Sequence, residues 1–74
     1  MDMKGRFNIN VNFPNKPQAE EITVEHADET FAFLKNGHQI SIINNGDNSW
    51  SLVDGDLDQL SVNLIGTEIE KHYK

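Results

Sequence analysis

The sequence predicts an α+β domain, an antiparallel β-meander of four to five strands with one C-terminal helix packed on its apolar face. Three observations predict it. Phe7, Ile9, Val11 and Phe13 alternate with Asn8, Asn10 and Asn12, the period of a strand with one buried face and one wet face. Asn36-Gly37 stands between two short apolar runs, and this dipeptide readily takes the positive φ angles of a two-residue hairpin turn. From Asp56 onward the apolar period changes from two to the spacing of a helix. Residues 1–74 are expected to form one small domain, near the size at which a single core just suffices to fold.

In chain order, the first strand covers 6–13 and stops at Pro14 and Pro17, since proline removes a ladder donor and restricts the residue before it. A second, strongly charged strand covers 20–25 and carries Ile22 and Val24 inward. A loop of His26, Ala27, Asp28 and Glu29 pairs Glu25 with Thr30, Val24 with Phe31 and Ile22 with Phe33. The third and fourth strands, 29–36 and 38–44, form the central hairpin. Counting outward from Asn36-Gly37 sets Lys35 against His38, Phe33 against Ile40 and Phe31 against Ile42. Its other face, Leu34 with Gln39 and Ala32 with Ser41, is mixed, and a slip of one residue would scramble both faces.

Asn44 to Asn48 is a cluster of turn formers. A three-residue connection at 45–47 places Ile42 opposite Trp50 and Ile40 opposite Leu52, so the strand at 49–53 adds both large residues to the apolar face. The first strand either pairs with the second or crosses to the far edge. Asp56, with Gln59 three residues later, has the form of a capping box and predicts a helix over 57–73, with Lys71, His72 and Lys74 at the end where cations are favoured.

That helix carries two apolar stripes. Leu57, Leu60, Leu64 and Ile65 recur at helical spacing, and of these Leu57, Leu60 and Leu64 form one stripe, expected to face the sheet, whereas Val62, Ile69 and Tyr73, beside Gly66, form a second stripe. Five strands span roughly 20 Å and one helix with its side chains about 10 to 12 Å, so part of the apolar face is left bare. The expectation is a homodimer through Val62, Gly66, Ile69 and Tyr73, with close backbone approach offsetting the cost of about 1 kcal/mol for a glycine inside a helix. The alternative is that the second stripe packs on the N-terminal strand or on a loop of its own chain.

Composition narrows the function. There is no cysteine for disulfides or thiolate metal sites. A net charge of -6 disfavours direct binding to nucleic acid. No run approaches the roughly 20 apolar residues of a membrane span, and MDMKGRFN lacks the apolar core of a signal peptide, so a cytoplasmic location is expected.

Candidate sites each have a plainer reading. Asp54, Asp56 and Asp58 resemble the opening of a calcium loop, but Gln59 and Ile65 stand where it needs glycine and glutamate, and helix capping accounts for them. His26, His38 and His72 share no local face, with His26 and His38 at opposite ends of their strands, and read as surface residues. The serines at 41, 49, 51 and 61 lack a nucleophile-elbow context. Trp50 reads as core rather than as a stacking platform. Asp28, Glu29 and Asp47 fall at one end of the sheet and Glu20, Glu21 and Asp54 at the other, a diffuse charge rather than a phosphate-like array.

The resulting expectation is a small protein-interaction or regulatory module with no catalytic residues, cofactor or metal. Its partners are a second copy of itself or another protein. An acidic mimic of nucleic acid, or a small-molecule sensor with a pocket between helix and sheet, are the alternatives.

Overall fold

A computed structural model of the chain describes residues 5–27, 29–47 and 49–73. Five strands, β1 (Gly5–Val11), β2 (Glu20–Ala27), β3 (Thr30–Lys35), β4 (His38–Asn44) and β5 (Trp50–Asp54), form one antiparallel sheet in chain order, followed by helix α1 (Gln59–His72). β1 pairs with β2, with Phe7 opposite Val24 and Ile9 opposite Ile22. The crossing to the far edge does not occur.

The central hairpin has the register that Asn36-Gly37 dictates: Lys35 faces His38, Phe33 faces Ile40 and Phe31 faces Ile42. Both turn residues take positive φ, 54° at Asn36 and 81° at Gly37, as a primed two-residue turn requires. The two flanking registers differ from expectation. Val24 lies opposite Phe33 rather than Phe31, which moves His26 into β2 and leaves residues 28 and 29 to connect the strands. Asp28 itself lies outside the described residues, as do Asn48 and Lys74.

On the other side Trp50 faces Asn44 and Leu52 faces Ile42, so the connection lengthens to residues 45–49. It is closed by the Asn45 amide donating to the Ser49 carbonyl at 2.9 Å and by the Gly46 amide donating to Asn44 Oδ1 at 2.6 Å. Asn45 Nδ2 also donates to Ser49 Oγ and Ser51 Oγ, which favours this longer loop. A bulge between Ser41 and Ile42 then lets Asp54 face Ser41. Each slip moves the pairing by two residues, the repeat of the pleat, so the apolar side chains keep their expected face.

The helix also begins later than expected. Asp58, not Asp56, is the N-cap, and its carboxylate accepts from the Ser61 amide at 3.1 Å and from the Ser61 hydroxyl at 2.9 Å. Gln59 is therefore the first helical residue rather than the reciprocal partner of a capping box. Leu57 falls in the connection, which breaks up the leucine stripe. The buried face is Val62, Ile65, Gly66 and Ile69, spaced i, i+3, i+4, i+7. Leu60 is 55% exposed and Leu57 and Leu64 are only partly buried, so the stripe expected to face the sheet flanks the contact instead.

α1 packs against β1, β4 and β5. Contact with both edge strands requires the sheet to curl around the helix, in keeping with the twist of antiparallel sheets. One helix consequently covers an apolar face that looked too wide for it. Ile9, Val11, Phe13, Ile22, Val24, Phe31, Phe33, Ile40, Ile42 and Trp50 are all buried with Val62, Ile65 and Ile69. Full burial of each aliphatic side chain contributes about 1.5 to 3 kcal/mol. Among the described residues no helix is long and apolar enough to cross a membrane.

Trp50 explains the glycine. Its indole lies flat on Gly66, where an added Cβ would fall well inside contact distance of Cγ, Cδ1 and Cδ2. Gly66→Ala should lower stability by about 1 to 3 kcal/mol through overpacking, despite the gain of about 1 kcal/mol in helix propensity. Denaturant titration checks this, and in a Gly66→Ala, Trp50→Phe double variant the loss should be smaller than the sum of the two single losses.

Candidate functional site

The two ends of the layer between sheet and helix have different chemistry. At one end β1 begins, β2 finishes, β3 begins and α1 finishes, and their aromatic residues gather there. His72 stacks on Phe7 with ring centroids 3.9 Å apart, and His26 stacks on Phe31 at 4.1 Å. Tyr73 stands edge-on to Phe7 and His26, and its hydroxyl lies 3.3 Å from His26 Nδ1. Phe31 meets Trp50 edge-on at 5.3 Å. These rings close the end of the core and hold the last helical turn against β1 and β2.

The opposite end is open. Phe13, Ile40 and Leu57 floor a cavity of about 570 Å³ between the prolyl connection, the β3–β4 turn and the segment entering α1. Lys16, Lys35 and His38, from the prolyl connection and the β3–β4 turn, line it together with Asp56 and Asp58 from the segment entering α1. Lys35 Nζ sits 4.8 Å from the centre of the Phe13 ring and 3.4 Å from Glu20 Oε1, which Lys16 Nζ also approaches at 3.9 Å. Gly55, at φ 102°, brings the chain so near β4 that an added Cβ would lie 2.9 Å from the Gln39 carbonyl oxygen. That approach forms the rim of the cavity.

The third feature is the sheet face that the helix leaves uncovered. Leu34 is 66% and Val53 54% exposed. By register Leu34 and Ala32 on β3 face Gln39 and Ser41 on β4, and half-buried Ile43 faces Thr30 and Ser51, so the apolar residues of this face form a patch interrupted by polar ones. Beside it runs a trough of about 530 Å³ lined by Arg6, Glu21, Thr23, Glu25 and Gln39 among others. Arg6 and Glu25 form an ion pair across β1 and β2.

The residues expected to mediate self-association are dispersed by this arrangement. Val62, Gly66 and Ile69 are buried within their own chain, with Gly66 seated on Trp50 of β5 rather than on the N-terminal strand or a loop. Tyr73 belongs to the aromatic end and is 56% exposed. Trp50 is core at 4% exposure. His26 and His38 lie at opposite ends of the sheet, as the strand order required. Among the described residues no three His, Asp or Glu side chains converge as a metal site. Glu20 is engaged by two lysines, which takes it out of any array of carboxylates imitating phosphates.

The exposed patch was partly visible in the sequence, because Leu34 stands at a wet-face position of a strand whose register was fixed. The charged cavity was not, since it joins residues from three separate connections and the strand and helix ends beside them. Comparison with family models, curated proteins and solved structures finds no match for this chain.

The cap offers a direct check of how α1 begins. Hydrogen bonds from the Ser61 hydroxyl and amide hold the Asp58 carboxyl below the ordinary aspartate range. A depressed carboxyl pKa stabilises the fold above the unfolded-state pKa, and that contribution is lost as pH falls through the folded value. Asp58→Ala should therefore lower the thermal midpoint at neutral pH, and the gap from wild type should close as pH drops below about 4. A gap independent of pH would contradict the assignment of the cap.

Proposed function

We propose that the chain is a non-catalytic protein-binding module that acts as a homodimer, with the uncovered face of the sheet as the contact surface. The observation that supports this reading is the exposure of two large apolar side chains, Leu34 and Val53, on the face that the helix leaves uncovered, with half-buried Ala32 and Ile43 set among polar neighbours on the same face. Elsewhere on the sheet the large apolar side chains are turned inward beneath the helix. Two antiparallel sheets pack face to face when their facing side chains interdigitate, and a copy of the same face offers its own Leu34 and Val53 to the pair. Arg6, Glu21 and Glu25 border it and supply a polar rim.

This surface replaces the helical stripe as the seat of association. Val62, Gly66 and Ile69 already fill the core, so a second copy has no access to them without unfolding. Leu34 has no such role in the core.

Sedimentation equilibrium tests the reading. Wild-type protein should show a mass rising from 8.4 kDa toward twice that value with concentration. Leu34→Lys should remain at 8.4 kDa at the same loadings with an unchanged unfolding midpoint. A wild-type mass of 8.4 kDa at every loading would sink the homodimer.

A further inference from the structure

We propose that the open end of the sheet–helix layer binds a short apolar peptide with free termini, a dipeptide-sized zwitterion whose carboxylate meets Lys35 and Lys16 and whose ammonium meets Asp56. This site opens at the end of the layer, adjoining the sheet face only at Gln39, and does not depend on self-association.

The cavity has the size of a small-ligand site, about 570 Å³ against a usual range of roughly 300 to 1,000 Å³. Its lining carries both signs of charge, each brought by a different segment of the chain. Phe13 and Ile40 are buried and, with Leu57, give an apolar floor. Two lysines of the lining, Lys16 and Lys35, share a single carboxylate oxygen of Glu20.

The Lys35 side chain is only 12% exposed. Its ammonium has three donors, yet the Glu20 oxygen at 3.4 Å lies beyond the usual N–H···O range of about 2.7 to 3.2 Å. The Phe13 face offsets part of this deficit as a cation–π contact. A cation so far withdrawn from water and short of acceptors is suited to an arriving carboxylate, which would form charge-assisted hydrogen bonds. Lys16 adds a second, more exposed ammonium beside it.

The wall formed by the segment entering α1 carries the opposite charge. Both oxygens of Asp58 are committed to Ser61 at the helix cap. Asp56, two residues earlier and exposed, carries the carboxylate of that wall with no such commitment. A simple anion would be attracted by the lysines and repelled by Asp56, and a simple cation the reverse. A molecule with an ammonium at one end, a carboxylate at the other and apolar side chains between them satisfies both walls and the floor. A dipeptide has this sequence of groups and fits within the cavity.

Leucyl-leucine, its N-acetyl form and its C-terminal amide are the probes, titrated into the full chain while backbone amides are followed by heteronuclear NMR. Leucyl-leucine should give saturable shifts at residues 13–16, 35–40 and 55–58, and each blocked form should bind about tenfold or more weakly, the effect of losing one charge-assisted contact. Lys35→Met should abolish discrimination against the amide. Asp56→Asn, in an exposed connection where folding is not at stake, should abolish discrimination against the N-acetyl form. The proposal is overturned if leucyl-leucine produces no saturable shifts, if all three probes bind equally, or if the shifts map to the Leu34 face.

Discussion

The seating of Trp50 on Gly66 is the contact on which the rest of the structure depends. A bare helical backbone at Gly66 allows the indole to lie against the helix itself, and the same residue is tied to α1 at two further points. Gln59 Nε2 donates to the Trp50 carbonyl at 2.8 Å, and Trp50 Nε1 donates to Glu70 Oε2 at 3.2 Å. Gln59, Gly66 and Glu70 recur on one side of the helix over about 16 Å of its axis. One residue of an edge strand thus fixes the rotation of the helix, and that rotation sends Val62, Ile65 and Ile69 inward and Leu60 outward. Leucine is the stronger helix former, but propensity does not choose a face. Shape does.

With the helix rotation fixed, the two ends of the layer diverge. Stacked and edge-on rings at the C-terminal end of α1 leave little room there. At the N-terminal end the chain is held back by the cap at Asp58 and by the close passage of Gly55 over β4. The prolyl connection returns on the other side with Phe13 buried and Lys16 at the rim. The cavity lies between these two constrained segments. Its charges reach it from different parts of the chain, and Glu20 brings Lys16 and Lys35 together.

The curl of the sheet has a further consequence. A flat sheet of five strands would leave apolar surface beyond the reach of one helix, and association through that surface would be the natural remedy. The twisted sheet instead wraps its inner face around α1, so that both β1 and β5 touch it. The face requiring cover is then the convex one, where Leu34 and Val53 are the large apolar residues left in water. Single exposed leucines are ordinary on protein surfaces. A leucine and a valine exposed on one uncovered face, with Ala32 and Ile43 half-buried nearby, are the reason for placing the contact surface there.

The sequence by itself determined the architecture and the faces of the strands. Alternation at 7–13 and the Asn36-Gly37 turn left one central register that buries Phe31, Phe33, Ile40 and Ile42 together, and the structure has that register. Because the pleat repeats every two residues, the same alternation could not distinguish pairings that differ by two, and both outer registers turned on loop contacts such as those of Asn45 with Ser49 and Ser51. Only the tertiary structure decided the helix face and the cap. Asp56 and Asp58 are equivalent as capping residues in isolation, and either apolar stripe could in principle have met a sheet. The choice followed from the fit of one indole against one glycine, a matter of three-dimensional shape that no local periodicity encodes.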